Sequence, residues 1–206
     1  EFVSDVLRPF CGKVHAVEVG NEPDSVVYYG SPLVPLQQGV SLYVGTMEAV
    51  TNATASICPA LTDQISSLSV SGEEFWTSGS GSITHNFEFV RGVLAALRCS
   101  GLKLAAVSPH PYARQHYLPT VRASWGPASW TMPEDVLPSQ FSLTDGLRNL
   151  SRIVGTAVPL RPTEFGYGLS QNVSAASKFA REHGAAVAQY CILLRTLPEV
   201  DRFFLF

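Results

Sequence analysis

The chain is short of charge. Only 15% of its 206 residues are Asp, Glu, Lys or Arg, and the formal net charge is -3. No basic tract is present, which argues against binding to a nucleic-acid backbone. Long apolar runs are also missing: none reaches the roughly 18 to 20 residues that cross a bilayer. No signal peptide is visible, and the chain starts at Glu1 rather than Met, so a mature, cleaved or recombinant segment is expected. The four cysteines, Cys11, Cys58, Cys99 and Cys191, contain no CxxC spacing. That disfavours a zinc or iron–sulfur centre. One disulfide and buried free thiols both stay open, because four cysteines allow 3 complete pairings.

What is present is apolar: 46% of the residues are hydrophobic. A chain of this length buries a substantial core, and a single domain over residues 1–206 is the simplest division. Three sequons, at Asn52, Asn149 and Asn172, favour a secreted or lumenal glycoprotein, lysosomal or extracellular.

The most informative stretch is Val17-Glu18-Val19-Gly20-Asn21-Glu22-Pro23-Asp24. A short β-branched run breaks into polar residues. Pro23 cannot donate to a sheet ladder and constrains Glu22, so a strand should stop there. Glu22 then stands at a strand's carboxyl end, where α/β sheets place their chemistry. The same pattern returns at 157–161, which leads through Pro162 and Thr163 to Glu164.

Strands are expected at 14–19, 40–45, 102–107, 157–161 and 202–206. Helices are expected at 2–11, 83–99, 142–153 and around 175–194, with a short one within 61–68. Phe87, Val90, Leu94 and Leu97 share one stripe at helical spacing. Ser78 to Ser82 reads as a flexible turn or lid. Strands alternating with helices favour an α/β class with parallel strands.

Two carboxylates at strand ends are the minimum equipment for glycoside hydrolysis. One delivers a proton; the other attacks the sugar or activates water. Asn21 is placed to bind a sugar hydroxyl, and His110 or Tyr112 to orient the second carboxylate. Tyr28, Tyr29, Trp125, Trp130 and Tyr167 are candidate platforms for sugar faces. The plainer readings are Glu22 as a helix cap and Glu164 as an ion-pair partner of Arg161 or Arg114. Glu18 is either a group beneath the site or half of a structural ion pair. His15, His85, His116 and His183 show no ligand spacing. No Gly-x-Ser-x-Gly elbow supports a serine nucleophile.

Gly20-Asn21-Glu22-Pro23 resembles the Asn-Glu-Pro signature of clan A glycoside hydrolases. Pro162-Thr163-Glu164-Phe165-Gly166 and Ser108-Pro109-His110-Pro111-Tyr112 are similar to two further segments of that clan. The whole of 17–24 is most similar to the heparanase and β-glucuronidase-like branch. The resemblance implies a (β/α)8 TIM-type barrel, of which this chain would supply only the C-terminal five strand units. It implies that Glu22 is the acid/base, Glu164 the nucleophile, and Tyr112 a hydrogen-bond donor to Glu164. The implied function is a retaining glycosidase acting on a β-linked sugar or uronide, without metal or organic cofactor. It also implies a carbohydrate substrate and a second chain supplying strands one to three, since heparanase-like enzymes are processed into two chains. The competing expectation is a non-catalytic carbohydrate-binding or structural protein on a degenerate or incomplete barrel.

Overall fold

In the computed structural model the described residues are 2–24, 34–70, 83–111, 143–164, 187–188 and 191–204. The chain opens with helix α1, Phe2–Leu7, which tightens into a 3-10 turn at Arg8–Phe10 where Pro9 enters. Strand β1 is Val17–Val19. Helix α2, Leu36–Ile57, runs for 22 residues and starts directly after Pro35. A 3-10 turn over Pro59–Gln64 leads into strand β2, Ile65–Ser67. Helix α3 is Ile83–Cys99, strand β3 is Ala106–Val107, and helix α4 is Leu143–Val154. A further helical stretch covers 191–196.

The three strands pair in parallel in the order β1, β2, β3. Val19 pairs with Ser67, and Ser67 with Val107. Isolated parallel bridges continue that row from Val107 to Leu160 and from Leu160 to Val200. Val19, Val107, Leu160 and Val200 are all buried in the main core. Helices α2 and α3 cover this face. They approach so closely that a Cβ at Gly92 would lie 2.9 Å from Val40 Cγ2.

The fold differs from the expected barrel. Among the described residues the sheet is open and three-stranded, with no closure. Closing a barrel requires the first and last strands to pair around a full turn. Here β1 pairs with β2 alone among the described residues. The expected strand at 157–161 shrinks to a single bridge at Leu160; of the one expected at 202–206, the described residues 202–204 form no strand, and the bridge to Leu160 comes from Val200, before it. Pro159 and Pro162 flank Leu160 and lack the N–H that a longer ladder needs.

The segment 40–45, expected as a strand, lies inside α2. Its buried positions Val40, Tyr43, Val44, Met47 and Val50 follow the helical period, which a six-residue window hides. Conversely, the helix expected within 61–68 is a 3-10 turn followed by β2, all three of whose residues are buried. Serines have little strand propensity, and here tertiary contact overrides it. The expected lid at 78–82 and most of the helix around 175–194 fall outside the described residues.

Tyr43 ties α2 to the sheet. Its hydroxyl donates to the Val19 carbonyl at 2.8 Å, shares a 2.8 Å bond with Ser67 Oγ, and accepts from Leu68 N–H at 3.1 Å. Burial pushes this phenol up to about 12.

Cys11 and Cys58 form a disulfide across 47 residues, whereas Cys99 and Cys191 are free thiols. It anchors α1 and its 3-10 turn to the end of α2. Loop closure of that length is worth about 4 kcal/mol in the chain-entropy model. Cys11→Ser should therefore lower unfolding stability by a large part of that amount in urea titrations. An unchanged midpoint would show that the crosslink constrains the unfolded chain little.

Of the sequon asparagines, Asn52 is exposed on α2 and Asn149 is half-buried on α4; Asn172 lies outside the described residues. Among the described residues no helix is long and apolar enough to cross a membrane.

Candidate active site

Three strand-end turns converge above the sheet. The first begins at Gly20, whose φ of 81° lies in the left-handed region. A Cβ there would also approach Tyr43 Cε2 to 3.3 Å, so glycine suits both the turn and the contact. Ser69 Oγ donates to the Gly20 carbonyl at 2.8 Å and holds the turn from the next strand. Glu22 itself has a φ of 44°. That is costly for a glutamate, and more so before a proline, which favours extended backbone. The strain is retained where the Glu22 carboxylate must be aimed.

The second turn follows β3 through Ser108 and Pro109 to His110, whose backbone N–H donates to the Val70 carbonyl at 2.9 Å. The His110 side chain is 0% exposed. The third runs from Leu160 to Glu164. Its base is clamped by Arg161, whose Nε and Nη2 donate to Asp201 at 3.2 and 2.7 Å.

His110 sits between the carboxylates. Its Nδ1 lies 3.2 Å from Glu22 Oε1 and 3.6 Å from Glu164 Oε2. Its Nε2 lies 3.8 Å from Glu18 Oε1. Glu18, Glu22 and Glu164 are each about a quarter exposed, so solvent reaches the carboxylates but not the ring. Burial pushes the imidazole down, yet the carboxylates of Glu18, Glu22 and Glu164 outweigh it and hold the ring up to about 9. The ring is therefore a cation at neutral pH. Glu22, His110 and Glu164 offer one ligand atom each, all within 4.8 Å of one another. The arrangement places two carboxylates against Nδ1 of one buried ring.

The structure thus brings Glu22, His110 and Glu164 together. Asn21 is exposed beside Glu22. Tyr112 and Tyr167 lie outside the described residues, as do the aromatic platforms Tyr28, Tyr29, Trp125 and Trp130, and Arg114. Arg161, weighed as a partner for Glu164, forms its bidentate pair with Asp201. Tyr43 escaped the sequence reading. Its one signal is that it is the only tyrosine in α2.

No protein-family model matches the chain, and no curated protein matches it. Solved structures do resemble it. A glucosidase from Croceicoccus marinus aligns with a TM-score of 0.63 at 17% identity, covering 99% of this chain and 36% of that one. A GH128 endo-β-1,3-glucanase from Pseudomonas viridiflava aligns at 0.53 and 14%, covering 98% of this chain and 62% of that one. A GH39 β-xylosidase from Caulobacter crescentus aligns at 0.58 and 13%, covering all of this chain and 37% of that one. At such identities the likeness is one of fold, and the chain spans only part of each structure. It extends over several different glycoside hydrolases. The assignment to clan A nearest the heparanase and β-glucuronidase-like branch is accordingly corrected: no match singles out that branch, and the described sheet is not its closed barrel.

Proposed function

We propose that this chain carries the glutamate pair of a carbohydrate-active enzyme, a retaining glycoside hydrolase acting on a β-linked sugar or uronide. One observation carries the reading: carboxylate oxygens of Glu22 and Glu164, from turns 142 positions apart in sequence, lie within 4.8 Å of each other, both beside Nδ1 of the buried His110 ring. Retaining glycosidases hold their carboxyl groups about 5–5.5 Å apart, and inverting ones leave room for water at about 6.5–9.5 Å. The likeness of fold to glycoside hydrolases adds support. The β-linkage is taken over from the glucanase and xylosidase among those structures.

In this mechanism Glu164 attacks the anomeric carbon and forms a glycosyl ester as the glycosidic bond breaks. Glu22 gives its proton to the departing oxygen. Glu22 then takes a proton from water, which attacks the same carbon and releases Glu164. Polypeptide beyond this segment, on the same or a second chain, completes the cleft in this proposal. A secreted or lumenal setting belongs to it too, supported by the Cys11–Cys58 disulfide.

A second reading is glycan binding without turnover. The open sheet and the partial span of the matched structures favour it.

The test is stereochemical. The full-length protein is incubated with aryl β-glycosides and β-glucans, and NMR follows the first anomer released. A β-anomer first, with a 2-deoxy-2-fluoroglycoside trapped on Glu164 by mass spectrometry, supports the proposal. An α-anomer first would mean inversion. Binding with no turnover would put the second reading in front.

A further inference from the structure

A cavity of about 710 Å³ lies outside the glutamate site: neither Glu18, Glu22, His110 nor Glu164 lines it. Its size is that of a small-molecule site. It touches both ends of the lateral row that runs from Val19 to Val200. His15 and Ala16 lead into β1 at one end, and Asp201 to Phe204 follow Val200 at the other. Backbone bonds from Asp201 N–H to the Leu160 carbonyl at 3.1 Å and from Phe204 N–H to the Pro162 carbonyl at 2.9 Å fix the second wall. The charge of the lining is one-sided. Arg161, Arg195 and Arg202 face one carboxylate, Asp201, so three cations against one anion leave an excess of two, in a chain whose net charge is -3. Asp201 is already engaged by Arg161 Nε and Nη2, and Arg161 is held rigidly with a side chain only 9% exposed. Arg195 and Arg202 are exposed and make no ion pair or side-chain hydrogen bond among the described residues. Beside these cations stands an apolar wall that includes Val14 and the half-exposed Phe204.

We propose that this cavity binds a phosphate monoester carried on an apolar body, with Arg195 and Arg202 on the phosphate and Phe204 against the organic part. Like charges gathered on one wall repel one another, and a bound anion relieves that repulsion. A phosphate monoester is close to a dianion at neutral pH, which matches the excess of two positive charges, and it offers three acceptor oxygens. Planar guanidinium forks pair with such oxygens two at a time. The volume is larger than a bare phosphate fills, and the apolar wall would otherwise stay in water. The proposal does not depend on the glycosidase reading, because the cavity shares no residue with the glutamate site.

The test is calorimetric titration of the full-length protein with phenyl phosphate at low ionic strength, where charge is least screened. One saturable site per chain is expected. Inorganic phosphate should compete for it but bind roughly 10-fold more weakly, since it buries no ring. Phenyl sulfate has the same shape and one charge fewer, and should also bind more weakly than phenyl phosphate. Arg195→Gln and Arg202→Gln should each weaken phenyl phosphate roughly 10-fold, the worth of one charge-assisted contact. Both arginines are exposed, so the urea midpoint without ligand should stay where it is in the wild type. Lys103→Gln, at an exposed cation outside the cavity, should leave the affinity unchanged. Three results would overturn the proposal: no saturable binding, wild-type affinity in the Arg195→Gln, Arg202→Gln double variant, or a loss in Lys103→Gln as large as in the arginine variants. The last would mean that phosphate is drawn to surface charge in general.

Discussion

Glu164→Gln is expected to lower turnover by roughly 10⁴-fold or more, with glycan affinity little changed. The substitution keeps the shape of the side chain, so the cleft survives. An amide cannot form the glycosyl ester, so the first step has no nucleophile. Glu22→Gln should behave differently. It removes a proton donor worth about 10²–10⁴-fold, and its cost should shrink as the leaving group improves. A second variant makes the assignment sharper. Glu164→Gly opens the space that the carboxylate fills, and added azide should enter it and attack the anomeric carbon. The product would be a glycosyl azide of inverted configuration. If Glu164→Gln turns over like wild type, Glu164 is not the nucleophile.

His110→Leu is expected to be strongly destabilising. It removes the cation shared by Glu18, Glu22 and Glu164 and leaves three carboxylates crowded without it. Removing one partner of a buried ion pair costs about 3–5 kcal/mol. Partial exposure of the carboxylates puts the expected loss near about 3 kcal/mol. The pH dependence has a definite sign. The folded ring is held up to about 9, above the ordinary value of 6.5. Between those values the folded state binds more protons than the unfolded state, so stability falls as pH rises. The contribution is complete below about 6.5 and lost on passing through about 9; integrated, it is of the order of 3 kcal/mol. Urea titrations from pH 6 to 9.5 should show the wild type weakening across this window. His110→Leu should be nearly flat there. Parallel curves for the two proteins would mean that the ring is not held as a cation.

Some of this was readable from short stretches. A β-branched run broken by Gly20 and Pro23 marks a strand end, and the stripe of Phe87, Val90, Leu94 and Leu97 marks a helix. Both are local patterns, and β1 and α3 follow them. Local patterns also mislead. Val40 to Gly45 looks extended over six residues and belongs to a 22-residue helix. Ile65–Ser67 has two serines and no visible strand signal, yet it is the middle of the sheet. Its neighbours on both sides make it a strand.

The amino-acid sequence by itself determined that Glu22 stands just past the end of β1, because Gly20 and Pro23 restrict the backbone there. Only the tertiary structure decided that the sheet is open among the described residues, that Cys11 pairs with Cys58, and that His110 is buried between three carboxylates. Those outcomes depend on distances between segments far apart in the chain. The charge on His110 depends on them most, because it is set by neighbours that only folding brings within 4 Å.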